Sequence, residues 1–292
     1  MDDPLVCIII LNWNGKKDTI ECLESLKMVE YPNYEIILVD NGSTDGSVES
    51  LRKLYPDMEI IENLNNLGFA AGNNVGIRKA IEKGADYVLL LNNDTTVNKD
   101  FLNNLITVAK NDNMIGIAGP IIRYYSEPEN SWFEKGKINW FSFNIATHTK
   151  ITDDKEVVST DFMTGCAFLI KKATIEKVGF LTDEYFFYFE DVDYSLRAKN
   201  AGFKIVVTPL SKIYHKVSAT ASKKFKPESL YYANRNRFWI IKTYCPLKYK
   251  PIVYLLVTAR TLIAIGYHIS RKDKKCALAV MKAYKEVIQR SC

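Results

Sequence analysis

The sequence predicts an α/β fold built on a doubly wound sheet, and three observations predict it. Leu5–Leu11 (LVCIIIL) is a continuous apolar, β-branched run, the composition of a strand buried on both faces of a parallel sheet. Strand-like and helix-like segments then alternate four times in about a hundred residues, the pattern of successive βα units. Three of the strand-like runs stop at polar clusters: Asn12-Trp13-Asn14, Asp40-Asn41-Gly42-Ser43 and Asn92-Asn93-Asp94. Ligands of such sheets bind at the carboxyl ends of the strands, so these clusters are expected to converge on one crevice.

The elements follow in order. After the first strand, Asn12–Gly15 breaks the run and Lys16–Met28 shows helical spacing through Ile20, Leu23 and Leu26. Glu35–Val39 is a second strand, and Thr44 or Asp45 can cap a helix running through Leu54. Met58–Ile61 is a short third strand, Gly68–Lys83 a third helix, Tyr87–Leu91 a fourth strand and Phe101–Lys110 a fourth helix. Ile115–Tyr125 reads as strand. Residues 126–160 read as hairpins or a loose loop, Phe162–Ile170 as strand, Tyr194–Asn200 as a short helix and Lys204–Val207 as strand. Beyond Pro227 the spacing is helical over 228–245, 251–269 and about 276–290.

A chain of 292 residues suits one large domain, or one domain with a helical appendage. With 47% apolar and 25% charged residues, extended disorder is excluded. The net charge of +5 fits an anionic ligand or an anionic membrane surface without requiring either. Charge is lopsided: residues 199–292 are rich in Lys and Arg. The six cysteines, Cys7, Cys22, Cys166, Cys245, Cys276 and Cys292, contain no CxxC pair, which excludes zinc-knuckle and thioredoxin chemistry. Cys7 and Cys166 lie in apolar runs and read as buried fillers. Free thiols and the lack of a basic-then-apolar leader at the N-terminus point to a cytoplasmic protein.

Several residues can carry chemistry. Asp94 ends an apolar strand, where a hard carboxylate can hold Mg²⁺ or Mn²⁺ against a diphosphate; taken alone it reads first as a cap. Asp40 can accept the N3–H of a uracil or thymine ring, or close an Asx-turn. Leu67–Asn74 opens a helix with small residues, which admits a phosphate to the helix N-terminus or close packing of helix on sheet. The densest signal is Asp183–Asp193, in which five carboxylates interleave with five aromatics. A carboxylate beside an apolar wall can serve as a general base; acids also decorate helix N-termini. His215 ends an apolar pair and is a candidate second metal ligand beside Asp94.

Taken together the chain resembles the family 2 glycosyltransferases, in their rhamnosyltransferase-like branch. The segments that carry the resemblance are IIILNWNG (8–15), ILVDNGSTDGS (37–47), NLGFAAGNNVGI (66–77), LLLNNDTTV (89–97), residues 162–203 from FMTGCAF to RAKNAGF, IYHKVSAT (213–220) and YYANRNRFWIIK (231–242). They stand in the family's order. The resemblance implies a GT-A-type doubly wound mixed sheet, with a Rossmann-like nucleotide half (1–100), an acceptor and catalytic half (101–225) and a C-terminal helical region (226–292). It implies a divalent cation, Mg²⁺ or Mn²⁺, and a dTDP- or UDP-sugar donor. The sugar would pass with inversion to a hydroxyl of a glycan or lipid-linked acceptor. By the same resemblance Asp40 would contact the base, with Asn12, Asn14, Asn41, Gly68, Asn74 and Asn93 lining the nucleotide pocket. Asp94 and His215 would bind the metal, and Asp191, next to Glu190, would be the catalytic base. Glu184, Arg235 and Asn236 would lie near the diphosphate or acceptor. The family's DxD-type motif reads Asn92-Asn93-Asp94 here, so one acid remains.

The stretch 251–269 is apolar but holds Arg260 near its middle and is flanked by Lys248, Lys250, Arg271, Lys272, Lys274 and Lys275. A central Arg is costly in a spanning helix, and basic flanks suit a helix lying on an anionic membrane surface. A buried or dimer-forming helix and a true span are the other readings. Two further functions are weighed. A sugar nucleotidyltransferase would need a Gly-rich basic loop where Asn12-Trp13-Asn14-Gly15 stands, and a degenerate binding module would have no need of Asp94, Asp191 and His215. A nucleic-acid partner is not expected, because the basic residues surround an apolar helix.

Overall fold

The computed structural model describes residues 3–151, 157–217 and 226–289. Residues 218–220, which end one of the matching segments, the boundary expected at 225, and Cys292 lie outside them.

In chain order the first half runs β1 (Val6–Asn12), α1 (Lys16–Leu26), β2 (Tyr34–Asp40), α2 (Ser47–Leu54), β3 (Glu59–Glu62), α3 (Gly68–Glu82), β4 (Tyr87–Asn92), β5 (Thr95–Val97) and α4 (Phe101–Asn111). The second half runs β6 (Ile115–Tyr124), β7 (Ser131–Phe133), β8 (Lys135–Asn139), β9 (Asn144–Thr149), β10 (Val158–Ser159), β11 (Ala167–Lys171) and α5 (Lys172–Val178). After a 3₁₀ turn at Asp183–Tyr185 come α6 (Glu190–Asn200), β12 (Lys204–His215), α7 (Pro227–Tyr244), α8 (Lys250–Ser270) and α9 (Lys274–Gln289).

The main sheet has the order β10-β12-β6-β11-β4-β1-β2-β3, with β5 added to β12 and β7 to β6. Strands β3, β2, β1 and β4 are mutually parallel. β11 runs antiparallel to β4 and β6, and β12 is parallel to β6. The sheet is therefore mixed, as expected of the GT-A type. The chain leaves β1 towards β2 and later returns to its other side as β4, so the order reverses between β1 and β4, the place where such sheets bind ligands beyond the strand ends. Ile8, Ile9, Ile10, Val88 and Leu89 are fully buried, which accounts for the unbroken apolar composition of these central strands.

The structure differs from the sequence reading at three elements. The strand read from Phe162 begins at Ala167, because the Gly165 and Met163 amides donate to Asp191 and Ser195 side chains rather than to a ladder. The strand read as Lys204–Val207 continues to His215, with a register shift between Thr208 and Lys212 that absorbs Pro209. The helix read from Tyr194 begins at Glu190. The 126–160 stretch holds the β8–β9 hairpin.

The C-terminal helices close over the same core as the sheet. Phe238, Ile240 and Ile241 of α7 and Val253 and Val257 of α8 belong to the hydrophobic cluster that contains β1 and β4. Pro227 starts α7, where its missing N–H has no helical partner to lose. The Asp273 carboxylate accepts the Cys276 N–H at the start of α9.

Close packing of α3 on β1 and β2 depends on Gly76. A Cβ there would stand 2.6 Å from Cγ2 of Ile9 and 3.1 Å from Cγ2 of Val39, both on central strands. Gly76→Val is expected to lower the unfolding free energy by about 1–3 kcal/mol, as overpacking of a filled core does. Urea denaturation measures this; an unchanged midpoint would mean that α3 can shift without cost.

Candidate active site

The crevice is organised by one buried side chain, that of Asn12 at the end of β1. Its Nδ2 donates to Oδ1 of Asp40 (2.7 Å) and to Oγ of Ser43 (3.1 Å). Its Oδ1 accepts from the Gly15 N–H (3.2 Å), the Thr19 hydroxyl (2.8 Å) and Nδ2 of Asn93 (3.3 Å). The loops after β1, β2 and β4 thus meet in one polar knot. Asp40 is buried, and its second oxygen accepts the Ser43 N–H at 2.8 Å. Asn14, with a left-handed φ of 52°, accepts the Thr44 N–H at 2.8 Å and joins the same two loops. Thr19 and Ser43 complete the knot, and neither was singled out from the sequence. Ser43 could have been found from its place in the polar run after Asp40.

Asn41, Gly68 and Asn74, expected in the nucleotide pocket, are engaged by the protein itself. The Asn41 amide donates to Asn66 and to the Gly68 carbonyl, and its oxygen accepts from Asn63 and the Leu67 N–H. A Cβ on Gly68 would stand 2.5 Å from the carbonyl oxygen of Phe186, and that oxygen accepts the Phe69 N–H. The N-terminus of α3 is thereby taken by a backbone carbonyl, and its small residues serve close approach. Asn74 bonds both the N–H and the carbonyl of Leu181 and also Asp183, fixing α3 to the start of the acidic–aromatic segment.

Asp94 and His215 are brought together by strand register. β5 pairs antiparallel with β12, which sets His215 opposite Thr95, and Oδ1 of Asp94 lies 3.0 Å from Nε2 of His215. The Trp132 ring packs edge-on against the imidazole, with centroids 4.5 Å apart. Burial opposes a charge on His215, but Cys166 and Asp94 outweigh it and push its pKa up to about 10. The donor set fits a divalent cation. A carboxylate oxygen and an imidazole nitrogen stand 3.0 Å apart, and that pairing would suit Mn²⁺ or Mg²⁺. Beside them, Lys216 reaches back to Asp18 (2.9 Å) and Glu21 on α1.

The acidic–aromatic segment supplies the remaining carboxylates. Asp191 lies in the first turn of α6, and its oxygens accept the N–H of Gly165 (2.9 Å) and its neighbour Val192 (2.7 Å). Burial raises its pKa, while those two amides pull it back towards the charged form. Glu190 is more deeply enclosed. Burial, then the nearby Asp191 and Asp193, raise its pKa well above the ordinary range, and its Oε2 has no hydrogen-bond partner among the described residues. Asp193 is structural: it holds Thr182, Arg197 and the Tyr244 hydroxyl. Gly165 and Cys166 link the two groups of acids. The Gly165 N–H holds Asp191, and the Cys166 carbonyl accepts the Asn92 N–H at the end of β4, two residues before Asp94.

Three aromatics of this segment, Phe186, Tyr188 and Phe189, hold φ values of 57°, 70° and 73°, a conformation costing about 1–3 kcal/mol per non-glycine residue. Arg235 and Asn236, expected near the diphosphate or acceptor, hold this segment. The fully buried Asn236 amide donates to the carbonyls of Tyr185, Phe187 and Tyr188 at 2.8–2.9 Å. Arg235 donates to the carbonyls of Glu184 and Tyr185 and lies against the Tyr232 and Trp239 rings. The Glu184 side chain is exposed; only its carbonyl takes part.

Residues 7–179 match the family described as "Glycosyl transferase family 2". Over 286 residues the chain is 23% identical to the dTDP-rhamnosyl transferase RfbF of Shigella flexneri, covering 94% of this chain and 93% of that protein. It is also 23% identical over 249 residues to an N-acetylglucosaminyl-diphospho-decaprenol L-rhamnosyltransferase of Mycobacterium tuberculosis, covering 74% of this chain and 80% of that one. Its fold matches that of the mannosyltransferase PcManGT from Pyrobaculum calidifontis, solved in complex with GDP-Man and Mn²⁺. The TM-score is 0.60 at 17% identity, over 98% of this chain and 87% of that one. The family match spans more than half of the chain, and on that ground the chain belongs to glycosyl transferase family 2.

Proposed function

We propose that this glycosyltransferase moves a rhamnose-like hexose, with inversion, from a dTDP- or UDP-sugar to a hydroxyl of a glycan or lipid-linked acceptor at the cytoplasmic face of a membrane. The observation that carries the proposal is the Asp191 carboxylate, fixed by the Gly165 amide next to Cys166, whose carbonyl accepts the Asn92 N–H two residues before Asp94, the partner of His215. Relatives named as rhamnosyl transferases support the sugar class, and one named for a decaprenol-linked acceptor supports the acceptor class. Residues 1–100 bind the nucleotide and residues 101–225 hold the acceptor and the base.

The roles divide by environment. Asp40, steadied by Asn12 and Ser43, accepts the N3–H of the pyrimidine base. Asp94 and His215 hold the divalent cation, which when bound offsets the charge on the departing diphosphate. Asp191 takes the proton of the acceptor hydroxyl as its oxygen bonds to the anomeric carbon and the bond to the diphosphate breaks. Burial, then the nearby Asp191 and Asp193, bias Glu190 towards its neutral form, while the Gly165 and Val192 amides favour the charged form of Asp191.

Purified protein is incubated with UDP-, dTDP- and GDP-sugars and Mn²⁺, Mg²⁺ or EDTA, and released nucleoside diphosphate is measured. Release from one donor, abolished by EDTA, is expected; silence across the panel together with no nucleotide binding would overturn the proposal. Asp191→Asn is expected to slow transfer by about 10²–10⁴-fold, the usual worth of a placed general base, with donor affinity retained. Equal losses in turnover and donor affinity would refute the base assignment. Because the base acts deprotonated and its pKa is raised, the acid limb of kcat/KM is expected above the ordinary aspartate range, with activity falling as pH drops through it. Asp94→Ala is expected to abolish the Mn²⁺-dependent part of donor binding in a calorimetric titration; its persistence would remove Asp94 from the metal site.

A further inference from the structure

α8 is amphipathic in the wrong sense for a helix facing water. Its buried side carries Val253 and Val257 but also Thr261 and His268. Its outer side presents Leu255, Ala259, Leu262, Ile263, Tyr267 and Ile269, all exposed and all on one face at 3.6 residues per turn. Leu255, Leu262, Ile263 and Ile269 each leave more than half of their surface bare. The groove between α8 and α9, lined by Ile265, Met281 and Tyr284, continues this apolar surface. Contiguous apolar surface of this kind marks an interaction face.

Charge identifies the occupant. Between 248 and 289 nine Lys and Arg stand against two acids, Asp273 and Glu286. Exposed Lys248 lies before α8, Arg271, Lys272, Lys274 and Lys275 are exposed just after it, and Lys282 and Lys285 are exposed on α9. A second copy of the chain seated on this face would bring two basic rims together. A bilayer with acidic headgroups matches both features, burying the apolar stripe and neutralising the rim. Length and composition would let α8 cross a membrane, but one side is packed into the core, and Arg260, off the stripe, donates to the Ser142 carbonyl of the β8–β9 hairpin at 3.2 Å.

We infer that the outer face of α8, with its basic rim, docks flat on an anionic lipid bilayer. The inference deepens the lipid-linked acceptor reading, and α7 joins the two. It clamps the Glu184–Tyr188 backbone through Arg235 and Asn236 and bonds Glu286 of α9 through the Tyr231 hydroxyl. Docking therefore holds the catalytic segment at a set place relative to the bilayer surface.

The full chain is sedimented with vesicles of equal parts phosphatidylglycerol and phosphatidylcholine, and with phosphatidylcholine alone. Binding to the mixed vesicles only, weakened by salt, is expected. Lys272→Gln, Lys274→Gln and Lys275→Gln together are expected to weaken it roughly a hundredfold, at about fivefold per basic residue near the surface. Leu262→Glu with Ile263→Glu is expected to weaken it by about tenfold or more. Both variants change exposed positions, and unchanged thermal unfolding confirms their folding. Wild-type protein left in the supernatant, or binding indifferent to both variants, would overturn the inference. So would a solution dimer dispersed by Leu262→Glu with Ile263→Glu in the absence of vesicle binding, which would assign the face to a second copy. Donor hydrolysis without vesicles is expected to be unchanged in both variants. Loss of vesicle binding with hydrolysis intact thus bears on docking alone, and absent hydrolysis with binding intact bears on the transferase reading alone.

Discussion

The amide of Asn12 is the interaction on which the crevice depends. β1 is apolar on both faces and ends inside the protein, so the first polar residue after it is buried with no access to water. A buried amide left without partners would cost about 1–3 kcal/mol for each unmade bond, and Asn12 avoids that by bonding Asp40, Ser43, Gly15, Thr19 and Asn93. The loops after β1, β2 and β4 are therefore held to one another before any ligand arrives. The carboxylate of Asp40 is already oriented, and the turn that follows β4 is tied back at Asn93. Asp94, next in the chain, falls beside His215 because β5 pairs with β12 in one register.

How much of this could be read in the sequence follows from the range of the interactions involved. The first hundred residues were legible because they are built from local signals. Apolar β-branched runs gave β1, β2 and β4, and the polar residues that end them gave the crevice. Such signals fail where a tertiary contact overrides local chemistry. Gly165 lies in an apolar stretch that reads as strand, yet its amide is diverted to Asp191, 26 positions away. Pro209 reads as a strand end, yet β12 absorbs it in a bulge and carries His215 to the site. Small residues at 68–76 can serve a phosphate or close packing, and the packing shows only once Phe186 and β1 are in place. Arg235 and Asn236 look like ligand-facing groups for the same reason: a sequence shows a polar pair on a helix, not the five carbonyl bonds waiting for it.

Those bonds answer a specific mechanical need. The segment from Phe186 to Phe189 carries three non-glycine residues in left-handed conformations just before the helix that bears Glu190 and Asp191. A backbone strained by several kcal/mol would relax unless something over-determined it. Asn236 spends one amide on three carbonyls, and Arg235 adds two bonds from a guanidinium lodged among aromatic rings. The carboxylates are thus placed from two sides, by the Gly165 amide at the sheet and by α7 behind the strained segment.

That arrangement changes how the C-terminal helices should be regarded. As an appendage, they could differ without consequence for a site formed by the sheet. As found, α7 supplies the clamp, α9 meets α7 through Tyr231 and Glu286, and α8 shares the core of β1 and β4. The outer face of α8 is thus connected to the backbone before Asp191 by packed side chains and by the hydrogen bonds of α7 to the Glu184–Tyr188 carbonyls. A transferase working on a hydroxyl presented at a bilayer must hold its base at one height above the surface. The proposed docking of α8 meets that requirement because α7, which holds the strained segment through Arg235 and Asn236, packs in the same core as α8.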